Sequence, residues 1–225
     1  MKISPLAGAA LLLVSVSCQK TVPKKVQQPA VYLNTTAGSN WNYHEIDSSA
    51  TKPVVSDYTL TCKAGDTLIN SKTYHIYSNS AGGVQYLNLT GDDYYQFDSL
   101  PAGLGASAFE NLYLKDNAAA GTNWTQDLSV MVPGFPILVP LTFTYTIAEK
   151  GISRTVNGQM YSNVIHVTTA ISSSAIPASA LITSINMYYA PNVGLIDNAT
   201  LIDLNYSGVV EHVNIRAQLT SANLL

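Results

Sequence analysis

The chain has 225 residues, of which 47% are hydrophobic and only 11% charged, with a formal net charge of −3. Beyond Lys2, Lys20, Lys24 and Lys25 near the N-terminus, its cations are scattered at Lys52, Lys63, Lys72, Lys115, Lys150, Arg154 and Arg216. Nucleic-acid binding, which needs clustered Lys and Arg to displace counterions, is therefore excluded. Fourteen tyrosines beside many Thr, Ser and Asn make a strand-forming composition.

At the N-terminus, Lys2 precedes an apolar run from Leu6 to Val16 and then Ser15-Val16-Ser17-Cys18. One positive charge, a short apolar run and a small residue at the cut make a secretory signal, too short to span a bilayer as a mature helix. Cys18 after the cut resembles the lipobox of bacterial lipoproteins, in which that cysteine is lipidated. Ser15 departs from the usual Leu, and an ordinary signal peptide with a nearby Cys is the alternative. Residues 1–17 are expected to be the signal peptide and Cys18 the lipidation site, which makes the membrane a partner. Residues 18–36 lack apolar periodicity and carry Pro23 and Pro29, so a flexible tether is expected. Gln19 is not the Asp that retains many lipoproteins in the inner membrane, and the positive charge after Cys18 is unlike acidic surface-export signals. The resemblance thus implies an outer-membrane protein facing the periplasm. With Cys18 lipidated, Cys62 has no disulfide partner and reads as a small, half-buried strand residue.

Residues 37–225 are expected to form one β domain. Ala37-Gly38-Ser39-Asn40-Trp41 recurs as Ala120-Gly121-Thr122-Asn123-Trp124, and Tyr58 to Tyr74 aligns without gaps on Tyr145 to Tyr161. Each copy then reaches a tyrosine pair, Tyr94-Tyr95 and Tyr188-Tyr189. The reading is two pseudo-repeats, about 37–119 and 120–207. Two separate domains are possible, but a fused sheet leaves fewer open edges.

Strands follow in order. Trp41–Asp47, Val54–Lys63, Thr67–Ser78, Val84–Thr90, Tyr94–Phe97 and Asn111–Lys115 are predicted in the first half. Ser129–Val132, Thr142–Ile147, Thr155–Thr169, Ala180–Tyr189, Ala199–Tyr206 and Val209–Leu219 are predicted in the second. Thr142 to Ile147 alternates strictly, with Phe143, Tyr145 and Ile147 on one face. Turns are expected at Ala64-Gly65-Asp66, Ala81-Gly82-Gly83, Lys150-Gly151 and Asn157-Gly158. Short helices could form at Leu104–Glu110 or Pro177–Ile182. The run Val132 to Pro140 holds three prolines and reads as a loop or edge. The fold class predicted is all-β, a single strongly curved antiparallel sheet, half-barrel or barrel-like, of about 10–12 strands.

Tyr188-Tyr189-Ala190-Pro191-Asn192-Val193-Gly194-Leu195-Ile196, with Gly121-Thr122-Asn123-Trp124 before it and Leu201-Ile202-Asp203-Leu204 after it, resembles a segment of uncharacterised secreted lipoproteins of Bacteroidetes-type bacteria. Those proteins resemble in fold the outer-membrane lipoprotein carriers and receptors, curved antiparallel half-barrels with an apolar concave side. The resemblance implies a fold and transfers no activity.

Catalytic chemistry finds no motif. Gly-x-Ser-x-Gly is absent, and sequence order does not group His44, His75, His166 and His212 into a nucleophile–base arrangement. His166, between Ile165 and Val167, reads as a strand-face histidine. His44-Glu45 and Glu211-His212 are neighbours pointing to opposite faces, so neither makes a metal pair. Asp92-Asp93 lacks a calcium loop and reads as a solvated turn. No catalytic residue, metal or cofactor is expected, with a glycan or lipid hydrolase as the outside alternative. A tyrosine pair on a strand puts one ring on each face, so half of Tyr94, Tyr95, Tyr188 and Tyr189 could line a cavity. Phe135, in the proline-punctuated run, is the other candidate ligand contact. The function expected is a lipid-anchored periplasmic binding module for an apolar ligand or lipid. A structural or interaction lipoprotein docking an envelope protein is the alternative. A carrier must keep a cavity; an interaction domain fills that space with its own side chains.

Overall fold

Alternating sequences close into a curved sheet when one face of every strand is apolar, and that alternation runs through the structure, a computed structural model describing residues 30–99, 108–131 and 138–225. The signal peptide, Cys18 and Phe135 lie outside the described residues. Six strands form the first half: β1 (Asn40–Asp47), β2 (Val54–Ile69), β3 (Lys72–Asn79), β4 (Val84–Thr90), β5 (Asp93–Ser99) and β6 (Ala108–Lys115). Six more form the second: β7 (Asn123–Val130), β8 (Val139–Val156), β9 (Gln159–Ser172), β10 (Leu181–Ala190), β11 (Gly194–Tyr206) and β12 (Val209–Asn223). All belong to one sheet in the order β6-β5-β4-β3-β2-β1-β12-β11-β10-β9-β8-β7, and every neighbouring pair is antiparallel. Two six-strand meanders are thus joined through β1 and β12.

The sheet curls until its edges, β6 and β7, meet without a backbone ladder, leaving one unsealed seam. Side chains bridge it. The Trp124 indole N–H donates to the Leu112 carbonyl at 2.9 Å, and Tyr145 Oη donates to Asn111 Oδ1 at 2.7 Å. The Gln126 carboxamide acts as a substitute peptide group, donating to the Glu110 carbonyl and accepting from the Leu112 N–H at 3.4 Å. Bare edge groups of β6 are so occupied. Phe109 packs on Phe143 across the same gap, ring centroids 5.6 Å apart.

One end of the barrel, here the lower, carries the turns at 70–71, 91–92, 157–158 and 191–193. A strap covers it. Within the segment 18–36, residues from 30 onward are packed rather than free: Tyr32 and Leu33 are buried. The Val31 carbonyl accepts from Asn192 N–H at 2.6 Å, Tyr32 N–H donates to Tyr94 Oη at 2.9 Å, and Tyr77 Oη donates to the Asn34 carbonyl at 2.7 Å. A Cβ on Gly194 would stand 3.5 Å from the Tyr32 carbonyl, on a backbone with φ of +94° that favours glycine. Aromatic and branched side chains, too large to leave wet, explain why this stretch docks although it lacks periodicity.

Several local expectations are corrected. Ala64-Gly65-Asp66 and Lys150-Gly151 are irregularities inside β2 and β8, where the register shifts, and not turns. The chain reverses at Asn70-Ser71 and Asn157-Gly158, whose four φ angles are all positive, the geometry of two-residue hairpins. Among the described residues no helix forms; Ala108–Glu110 and Leu181-Ile182 are strand, held by pairing with neighbours. β7 begins at Asn123, six residues before the predicted strand. Val139 and Pro140 belong to β8, and Pro140 is tolerated because it sits where β8 pairs only with β7, beyond the first β9 partner at Thr142. The tyrosine pairs are not equivalent: Tyr94-Tyr95 opens β5, whereas Tyr188-Tyr189 closes β10.

Candidate functional site

A twelve-strand barrel is too wide for inward side chains to fill it. Two cavities remain in the lumen, of about 310 and 330 Å³. They share Glu45, Asn111, Met187, Asn198 and Thr200, so they meet at that level. Below it the lining is aromatic, with Trp41, Tyr43, Tyr58, Tyr77, Tyr113 and Tyr189. Above it the lining is largely aliphatic and phenyl, including Phe109, Phe143, Ile185, Ile202 and Ile215.

Each aromatic is fixed by its own bonds. Trp41 Nε1 donates to the Val193 carbonyl at 2.8 Å, and Tyr43 Oη to the Leu195 carbonyl at 2.8 Å. Tyr43 stacks on Tyr58 at 5.2 Å, and Tyr113 packs on Tyr189 at 5.4 Å. The Tyr58 and Tyr113 hydroxyls have no hydrogen-bond partner among the described residues and share the lumen with the cavity. Burial, reinforced by the Glu45 charge, pushes the Tyr58 phenol up to about 12. Burial also holds Tyr43 and Tyr189 well above the ordinary phenol range.

Glu45 follows Trp41 and Tyr43 on the inward face of β1, and its cross-strand partners are small, Ser56 on β2 and Ala217 on β12. Its carboxylate has no hydrogen-bond or ion-pair partner among the described residues. Burial first, and the Asp47 charge second, raise its pKa above the usual carboxylate value. Among the described residues it is the only charged one lining either cavity. Nothing in composition marks it. The signal that finds it is a carboxylate at an inward position of the alternating run Trp41-Asn42-Tyr43-His44-Glu45.

The four tyrosines and the phenylalanine expected at the site fall in different places. Tyr189 lines the lower cavity, its hydroxyl 3.0 Å from Met187 Sδ. Tyr94 is fully buried at the lower end, donating to Asp116 Oδ2 at 2.5 Å and accepting from the Tyr32 N–H, and lines neither cavity. Tyr95 lies beneath Lys72 Nζ, 3.6 Å from its ring centre. Tyr188 is sandwiched between His166, 4.1 Å away, and Arg154, whose Cζ is 3.3 Å from the ring centre. Arg154 continues to the buried Asp197, its Nε 3.1 Å from Oδ2. Neither Tyr95 nor Tyr188 lines a cavity. Phe135 lies outside the described residues. Cys62 is buried, and burial pushes its thiol up, away from the thiolate a nucleophile needs.

All four histidines sit beside carboxylates: His44 with Asp57, His75 with Asp66, His166 with Glu149 and His212 with Asp203. Each pair spans neighbouring strands, and none lines either cavity. At the upper end, opposite the strap, apolar side chains stand in solvent: Val54, Val55, Met131, Leu138, Ile182 and Val210.

No family model matches the sequence, and no curated protein matches it. Two solved structures are similar. One is a presumptive lipoprotein of Parabacteroides distasonis, 11% identical over 88% of this chain and 100% of its own, with a TM-score of 0.46. The other is a presumptive exported protein with a YmcC-like fold from Bacteroides fragilis, 9% identical over 87% of this chain and 100% of its own, with a TM-score of 0.46. Neither likeness carries an activity to this chain.

Proposed function

We propose that this protein is a lipid-anchored binding module of the bacterial envelope, attached through Cys18 and facing the periplasm, that holds a largely apolar ligand in its lumen without transforming it. The observation that carries the reading is the unfilled barrel. Protein interiors normally pack to crystal density, and voids of hundreds of Å³ are costly unless something occupies them. Each cavity has the volume of a small-molecule site, with apolar walls and a few convergent polar groups. No histidine reaches the lumen, so the base that hydrolysis would draw on is not supplied there by the commonest residue type.

A second reading, an interaction lipoprotein docking an envelope protein, is favoured by the upper apolar rim, where Val210 is 71% exposed and Val54 and Val55 are each 59% exposed. Native mass spectrometry of the full chain purified from a bacterial envelope, with lipid extraction of the same sample, separates the two. A stoichiometric apolar adduct supports the lumen as a binding site. A bare protein mass, with retention of an envelope protein on immobilised chain, favours docking.

A further inference from the structure

We infer that the lumen selects an amphiphile with one cationic head, an amine or quaternary ammonium group, seated on Glu45 and Tyr58 with its apolar tail in the aliphatic upper cavity. This rests on the binding-module reading and adds the ligand's charge to it. The argument begins with Glu45 itself. A carboxylate that points into an apolar lumen loses hydration, and among the described residues no ion pair or hydrogen bond compensates it: its cross-strand partners are small, and no described Lys, Arg or His lines either cavity. The titratable groups coupled to it are Asp47 on its own strand and Tyr58 on β2, neither of them cationic.

The surroundings decide what kind of cation fits. A metal ion requires several oxygen ligands in a tight shell, and no group of three or more His, Cys, Asp or Glu stands together among the described residues. The lumen instead presents aromatic side chains, with Tyr58, Tyr113 and Tyr189 in the cavity that Glu45 lines. Rings with a negative face beside one carboxylate attract a weakly hydrated organic cation, as aromatic cages do for ammonium groups. Asn111, Asn198 and Thr200, at the level where the cavities meet, offer neutral acceptors to the remaining N–H donors of a primary amine. The upper cavity, lined by Phe109, Phe143, Ile185, Ile202 and Ile215, is where the tail goes.

The test is isothermal titration of the full chain, held in zwitterionic nanodiscs, with octyltrimethylammonium, 1-octanol and octanoate, which share a tail and differ in head charge. The same titrations are run on Glu45→Gln and Glu45→Asp, with empty nanodiscs as the partition blank. Octyltrimethylammonium should bind about tenfold tighter than octanol, and octanoate weakest. Glu45→Gln should abolish the cation preference, and Glu45→Asp should retain it. Equal binding of cation and alcohol, or a preference that survives Glu45→Gln, overturns the charge assignment and leaves the apolar site standing. Absence of binding by all three overturns the binding-module reading and this inference with it.

Discussion

Glu45 is held at a cost in the empty barrel, and its titration gives that cost a sign. Its folded pKa is raised above the ordinary carboxylate value of 4.5, so the folded state holds the proton more tightly than the unfolded chain. Stability is therefore greatest below that value and falls as pH rises through the raised pKa. Glu45→Gln removes the loss, and the empty variant should melt higher than wild type at pH 7 and equally near pH 4 by calorimetry. A lower Tm for the variant at pH 7 would contradict the lumen geometry. A second buried carboxylate, Asp197, is held by Arg154 and more loosely by Arg216 at 3.5 Å, with Oδ1 unpaired among the described residues. Arg154→Met should cost about 2 kcal/mol in urea denaturation, because it strands a buried charge and strips one face of Tyr188. Composition and alternation pointed to tyrosine, and face parity gives the two rings of each pair opposite faces, but of the four only Tyr189 lines a cavity. Which of them could not be read, because the irregularities at Tyr94/Tyr95 and Tyr188/Tyr189 reset the parity locally.

At the level of elements, strands were legible and their ends were not. Period-two alternation located the interior of β8 from Thr142 to Ile147, but the strand continues to Val156 through three irregularities, one of them at Lys150-Gly151, which reads like a turn. Asn157-Gly158 was legible because its chemistry is local; the strap was not, since only the assembled barrel offers Tyr32 and Leu33 a place to bury. Leu33→Ala should therefore cost roughly 2–3 kcal/mol by chemical denaturation, despite lying next to a proline-bearing segment with no strand or helix pattern. The seam makes a different prediction. Gln126→Leu removes both bonds to β6, so the Leu112 amide should exchange about fivefold faster by hydrogen–deuterium exchange, with β1 and β12 amides unchanged. Uniform acceleration in all strands would mean that the carboxamide serves global stability rather than the edge.

For the whole molecule, the order in space is a rotation of the order in sequence. Read from β7 around to β6, the sheet is an unbroken up-and-down meander whose only non-sequential step is β12 to β1. The C-terminal residue lies at that step, where Leu225 N–H donates to Ser39 Oγ, just before β1, at 3.0 Å. A circular permutant opened between Asp116 and Thr122, with the old ends joined by a flexible linker, should keep the far-ultraviolet dichroism of the parent and fold faster in stopped-flow refolding, because its longest-range ladder has become local. Failure of the permutant to fold would mean that the β6–β7 connection, and not the β1–β12 ladder, organises the barrel. The two junctions also differ optically. The chain has two tryptophans, Trp41 at the floor of the lumen and Trp124 stacked on Tyr145 at the seam. Intrinsic emission is thus position-coded: Trp124→Phe leaves a fluorophore that sees a guest arrive, and Trp41→Phe leaves one that sees the edges part, so entry and opening can be timed against each other without an attached dye.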